Sequence, residues 1–155
     1  MVLQYNENSG RSRHPMRGIE TREYLYLYNP WSDGKRKFAT ATIGTQTYRQ
    51  MKKRADSEPQ ISTRLDLFDH RVVEELYNVR EDPDCLVNLI DNPAFRSQRD
   101  HLREKLADQL RRIGDPVAPL VAAIDDASLR EQYMAAEDER ARKAKMQRNK
   151  ERRRK

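Results

Sequence analysis

Glu23-Tyr24-Leu25-Tyr26-Leu27-Tyr28-Asn29-Pro30-Trp31-Ser32-Asp33-Gly34 is the stretch on which the fold turns. Tyrosine and leucine alternate with period 2. Tyr24, Tyr26 and Tyr28 therefore share one face of a strand, and Leu25 and Leu27 share the other. Pro30 ends the strand, and Asp33-Gly34 supplies a tight reversal. Upstream, Met16-Arg17-Gly18-Ile19 leads through Thr21-Arg22 into the same run, so residues 16–29 predict a hairpin. The tyrosines read as a half-buried sheet face whose phenols reach water, with a stacking platform as the rival reading. Trp31 either covers the hairpin end or lines a pocket wall. Lys35-Arg36-Lys37 reads as a solvated loop.

Working outward, Thr45 to about Ser57 predicts a short helix, with Thr45 as cap and Tyr48, Met51 and Ala55 on one face. Glu58-Pro59 ends it. Leu65, Leu67 and Phe68 form an apolar cluster with no assigned element. Val72–Val79 predicts a strand in which Glu75, Tyr77 and Val79 alternate with Leu76 and Asn78, followed by a turn at Glu81-Asp82-Pro83-Asp84. Asn92-Pro93 is a helix start, Asn as cap and Pro at the first helical position. Phe95, Leu102, Leu106, Leu110 and Ile113 then repeat at helical spacing until Gly114 and Pro116 stop the helix. Leu120–Ile124 is a short apolar patch, and from Leu129 a long polar helix merges into the C-terminal segment.

The expected fold class is α+β: a small antiparallel β-sheet with a C-terminal amphipathic helix against it, plus a long polar helical tail. We divide the chain into an α+β domain over 1–120 and a polar, basic helical extension over 121–155. Composition supports the division. The 155 residues are 36% hydrophobic and 36% charged, with mean hydropathy −1.08, too polar for one dense core around the whole chain. Of the 31 Lys/Arg and 25 Asp/Glu, ten bases and two acids fall in 139–155, a charge of +8. The other 138 residues hold 21 bases and 23 acids, a charge of −2. The basic pI of about 9.5 thus belongs to the C-terminal segment. A nucleic-acid-binding domain carries its basic residues on the folded surface beside aromatics, so this distribution argues against nucleic acid as a partner. No stretch approaches the roughly 18–20 apolar residues of a membrane span, and no membrane partner is expected. Met1–Glu7 has neither a basic nor an apolar leader region, so no secretory signal is expected there.

Reactive constellations are few. Cys85 lies between acids and an apolar run, without a nearby cation to activate it, and reads as a packing residue. One cysteine excludes an internal disulfide framework. His14, His70 and His101 have no metal-ligand spacing. Asp125-Asp126 is a weak cation site, its two carboxylates diverging on an expected helix. Gly-rich phosphate loops and nucleophile elbows are missing. Residue chemistry alone describes a structural or binding module.

Several pieces carry a resemblance. They are Asn8-Ser9-Gly10 through His14-Pro15-Met16-Arg17, Glu23 through Gly34, Phe68 through His70-Arg71-Val72-Val73-Glu74-Glu75-Leu76-Tyr77-Asn78, and Asp82-Pro83-Asp84 with Asn88-Leu89-Ile90-Asp91-Asn92-Pro93. Across roughly residues 2–120, in order and spacing, the chain resembles the C-terminal domain of sulfatases. The nearest branch is the heparan N-sulfatase (N-sulfoglucosamine sulfohydrolase) type. Glu-Leu-Tyr-Asn with the later Asp-Pro and Asn-Leu resembles the wider group, and Pro15-Met16-Arg17 with Asn29–Gly34 narrows it. The resemblance implies a small antiparallel sheet with a docked helix.

It also implies, for the full-length enzyme, a formylglycine made from the Cys or Ser of a Cys/Ser-x-Pro-x-Arg motif and a calcium ion beside it. Here Cys85 is followed by Leu86-Val87-Asn88-Leu89, so neither cofactor is expected in this chain. Met1 falls inside what resembles a C-terminal-domain strand. A fragment is therefore expected, from a truncated gene, an internal start or a split frame. Its partners would be the missing catalytic domain and, in the parent enzyme, a sulfated glycan or sulfate ester. Full-length relatives are exported, periplasmic or lysosomal, which leaves localisation open. In the family the Pro-Met-Arg segment runs near the cleft, so the resemblance makes His14 and Arg17 candidate substrate contacts. An arginine suits a bidentate grip on sulfate or carboxylate, and pairing of Arg17 with an acid inside the sheet is the alternative. Three readings follow: a detached sulfatase domain without activity of its own, an accessory module that binds an acidic partner through 139–155, or a remnant that exposes a face meant for the missing domain.

Overall fold

The computed structural model describes residues 1–6, 13–38 and 40–153. Four strands, β1 (Val2–Tyr5), β2 (Met16–Glu20), β3 (Tyr24–Tyr28) and β4 (Glu74–Asn78), form one antiparallel sheet in the order β1-β2-β3-β4. The hairpin predicted over 16–29 is β2–β3. Thr21 closes it, its Oγ1 accepting the Tyr24 amide at 2.9 Å. In register, Tyr26 stands between Ile19 of β2 and Leu76 of β4. The Asn8-Ser9-Gly10 piece lies outside the described residues.

Between β3 and β4 the chain makes a 3-10 turn (Ala41–Gly44) and helices α1 (Gln46–Arg54) and α2 (Pro59–His70). Thr45 caps α1, its hydroxyl accepting the Tyr48 amide at 3.2 Å. The cluster around Leu65, Leu67 and Phe68 is the apolar side of α2. Pro59 occupies the first turn of that helix, so Glu58-Pro59 both ends one helix and begins the next. After β4, Asn92 caps a 3-10 turn (Pro93–Phe95) that opens into α3 (Arg96–Arg112). α4 (Ala118–Ala122) and α5 (Ala127–Arg153) are the last elements of the described residues.

The core lies between α3, α4 and the tyrosine face of the sheet. Leu102, Leu106 and Leu110 of α3 meet Ile19, Tyr26, Tyr28 and Leu76, with Val117, Leu120 and Val121 closing one side. Fully burying each leucine contributes about 1.5–3 kcal/mol. Two expectations are corrected here. Tyr26 and Tyr28 do not reach water: both are fully buried, and the Tyr26 hydroxyl donates to Glu74 Oε1, which Arg103 Nε also binds, at 2.8 Å. Ile113 does not join the apolar face and is 64% exposed. The helix has already ended at Arg112, and Gly114 turns the chain at φ +69°. The division drawn at 120 falls within α4, and α5 buries Met134 and Glu137 in its first half. No described helix is long and apolar enough to cross a membrane.

Candidate functional site

The chemistry-bearing side chains gather where β2 begins and β3 ends. Arg17 opens the buried face of β2 opposite Tyr28. Its Nε donates to Asp115 Oδ2 at 2.7 Å. Its Nη1 donates to the Tyr5 carbonyl (3.0 Å), Asn6 Oδ1 (2.9 Å) and the Met16 carbonyl (2.8 Å). Asp115 uses its other oxygen to accept the Val117 amide at 2.8 Å. Both side chains of the ion pair are almost wholly buried. Of the two roles weighed for Arg17, the geometry describes the internal pairing.

His14 is likewise buried. Its Nε2 lies 3.0 Å from the Lys37 carbonyl, which accepts only, so that nitrogen carries the proton. The ring stands edge-on to Trp31 (centroids 4.9 Å apart) and to Phe38 (5.6 Å), and Trp31 stacks on Phe38 at 5.2 Å. Trp31 thus covers the hairpin end from inside. Its buried Nε1 has no hydrogen-bond partner among the described residues. The structure places His14 and Arg17 on the same short segment, and both side chains point inward.

Two further acids, which the sequence did not single out, fix this end. Glu75 is fully buried on β4. Its carboxylate accepts from Asn29 Nδ2 (2.7 Å), from Arg71 Nε and Nη2 (2.8 and 2.6 Å) and from the Tyr77 hydroxyl (2.7 Å). Arg71 reaches it from a left-handed backbone, φ 56°. Burial, and then the Glu75 charge, push the Tyr77 phenol well above its ordinary range. Asp69 accepts from Lys37 Nζ at 2.9 Å and from the Tyr48 hydroxyl at 2.8 Å. The Lys37 ammonium is held above its ordinary pKa by that hydrogen bond. Arg36 Nη1 and Nη2 grip Asp138 of α5 at 3.0 and 2.6 Å. Residues 35–37 form the solvated loop expected, with Lys35 and Lys37 exposed, but an ordered one: Asp33 Oδ1 turns it by accepting the amides of Lys35 and Arg36, and two of its three cations bind acids.

The remaining candidates stand apart. Cys85 sits at φ 51° after the Asp-Pro turn, where Arg64 binds the carbonyls of Asp84 and Cys85 at 3.0 and 2.9 Å. With Leu25, Leu27, Phe68 and Tyr77 it lines a depression of about 260 Å³ on the other sheet face. Burial, then Asp82, raise the thiol pKa, the opposite of activation. His70 Nδ1 lies 2.7 Å from Asp66 one turn earlier, and His101 is exposed on α3. Asp126 is not on a helix face beside Asp125; it caps α5, accepting the Leu129 amide at 2.9 Å. Among the described residues no three His, Cys, Asp or Glu side chains come together as a metal site. What the arrangement does is bind loops to the sheet by directional, charge-assisted bonds.

Compared with known proteins, the chain matches no family model and no curated protein.

Proposed function

We propose that this chain is the C-terminal domain of a sulfatase of the N-sulfoglucosamine sulfohydrolase type, inactive alone, whose loop end faces the catalytic domain and helps shape a sulfated-glycan pocket. The observation that carries the reading is architectural. Three of the pieces on which the resemblance rests, His14–Arg17, Glu23–Gly34 and Phe68–Asn78, contribute to strands β2, β3 and β4 of one antiparallel sheet, and the helix that begins after Asn92-Pro93 lies across its tyrosine face. A buried loop cluster supports a contact surface rather than a reactive centre. Each acid there is already paired, and the one thiol has a raised pKa. In this reading His14 and Arg17 act on the substrate by positioning: Arg17 fixes the start of β2, and His14 holds the Lys37 carbonyl and the Trp31–Phe38 stack.

The test has two arms. The DNA immediately upstream of the Met1 codon should carry a frame, intact or broken, with the Cys/Ser-x-Pro-x-Arg motif. The purified chain, assayed with calcium on an aryl sulfate and on N-sulfoglucosamine, should show no turnover. Unrelated upstream DNA refutes the reading, and so does turnover that Cys85→Ala abolishes.

A further inference from the structure

α5 has two halves of different character. The first is tied down: Met134 and Glu137 are buried, Asp138 holds Arg36, and Glu137 binds Arg140 and lies 3.7 Å from Arg13. Beyond that, residues 142–153 project, all exposed except a half-exposed Arg148. Those twelve residues extend about 18 Å. Glu139 pairs with Arg142 and with Lys143, and Glu151 accepts from Gln147. Lys145, Lys150, Arg152 and Arg153 have no ion pair among the described residues. Arg142/Lys145, Lys145/Arg148 and Lys150/Arg153 stand three apart, and Arg148/Arg152 four apart. Like charges at those spacings destabilise a helix.

Lys145, Lys150, Arg152 and Arg153 therefore leave the helix with an excess of positive charge that an opposite charge would both bind and stabilise. At roughly 100° per residue the cations spread over about 220° of its circumference, wider than one stripe, and leave only the side of Ala144, Gln147 and Glu151 without a base. Arg148, Arg152 and Lys145 lie on one side, Lys143 and Lys150 on the other, and Arg142 and Arg153 between them. That spread suits a polyanion able to bend around the helix. Tyr133 is the last aromatic residue, so the projecting half offers no stacking platform for single-stranded bases. Met146 is the only large apolar residue after Met134, so it offers no face for a membrane.

We infer that residues 142–153 are a binding site for a flexible sulfated polysaccharide, an arm that tethers the polymer beside the loop end of the sheet. The sulfate in this assignment rests on the sulfatase reading; the polyanion rests on the charge of the helix itself.

Heparin immobilised on a sensor is the probe, with the full chain in solution. We expect affinity to fall about a hundredfold between about 50 and about 200 mM salt, as for some five cations engaged at about 0.7 per charge in the logarithmic slope. The variant with Lys145, Lys150, Arg152 and Arg153 all changed to Gln should bind at least about tenfold more weakly at low salt and lose much of that slope, at a melting temperature no lower than the wild type's. Helical ellipticity of the wild type should rise on adding heparin, and chemically desulfated heparin, duplex DNA and single-stranded DNA should compete poorly. The inference is overturned by no binding at about 50 mM salt, by binding that the four substitutions leave unchanged, or by tighter binding of either DNA. Failure here is separable from failure of the sulfatase reading, because the upstream DNA does not involve α5. The motif present without heparin binding sinks the arm alone. Arm-dependent heparin binding beside unrelated upstream DNA sinks the sulfatase reading alone.

Discussion

Replacing Asp115 by alanine tests whether Arg17 belongs to the interior. The carboxylate stands 2.7 Å from Arg17 Nε, and both side chains are at least 96% buried. Without it, the guanidinium keeps three neutral acceptors, all on Nη1, while Nε loses its partner. Arginine cannot escape by releasing a proton. Removing one member of a buried pair costs about 3–5 kcal/mol, and the orphaned Val117 amide adds about 1 kcal/mol. Domains are stable by only about 5–15 kcal/mol, so Asp115→Ala should remove about a quarter of the total or more. In urea, with a slope of about 2 kcal/mol per molar, the midpoint followed by helical ellipticity should drop by about 2–3 M. Changing Arg17 to Met in the same chain removes the stranded charge, so the double variant should recover about 2 kcal/mol over Asp115→Ala alone. An Asp115→Ala cost under about 1 kcal/mol, or a double variant that equals the sum of its singles, would falsify the internal pairing and return Arg17 to an outside anion.

Tyr26, Tyr28 and Tyr77 hold their protons above the ordinary phenol range, chiefly through burial. The native state thus binds protons that the unfolded chain releases near pH 10, and stability is complete below about pH 10 and falls as pH rises further. Phenolate absorbance should show these tyrosines ionising only with loss of ellipticity; smooth titration of all seven in a folded chain would contradict the burial. Gly18→Ala should cost about 1–3 kcal/mol in the same urea assay, because a Cβ there meets Leu27 Cδ2 at 2.7 Å and the Tyr26 carbonyl at 3.0 Å. Cys85 should react with a disulfide reagent at neutral pH more slowly than a free thiol, with its rate climbing into the alkaline range; a fast reaction at neutral pH would contradict the raised pKa. Glu75→Gln puts an amide against a donor of the surrounding set. The amides of Asn29 and Ser32, bonded to the Val73 and Asn29 carbonyls, should exchange faster while those of α3 stay protected, and equal loss in both would place the carboxylate's role in the whole fold.

What the sequence made legible is what repeats. β2, β3, β4 and α3 follow from period 2, period 3.6 and capping residues, each local to its own segment. α2 is hidden in the sequence because Pro59 after a helical run reads as a stop, although a proline in the first turn starts a helix as readily as it ends one. β1 offers only Val2–Tyr5, too short for alternation to stand out. The loop-end chemistry left no local pattern at all. Arg17 and Asp115 are 98 residues apart, Arg36 and Asp138 are 102 apart, and Glu75 meets Asn29 across 46. Even the local Arg71–Glu75 pair depends on a left-handed backbone at an arginine. The hint that was available lay in composition: Glu75 in the alternating run of β4, and Asp115 between Gly114 and Pro116.

Why these charges are buried is itself informative. A buried ion pair adds little net stability over an apolar contact of the same shape, so three buried acids at one end of a small sheet are not explained by stability. Their common property is direction. Glu75 collects donors from the end of β3, from the segment after α2 and from β4 itself. Asp69 collects them from the 35–37 turn and from α1, and Asp115 from β2 and the start of α4. Apolar side chains would let those segments slide, whereas hydrogen-bonded charges fix their register. The irregular chain from Asn29 to Phe38, with Trp31 stacked on Phe38 under His14, is consequently held from several sides before any partner arrives. A surface that must meet a second domain in one orientation gains from that preorganisation, because the ordering entropy is already spent during folding. This is the physical ground for assigning the loop end, rather than the α3 face or the Cys85 depression, as the contact surface of the proposed sulfatase domain.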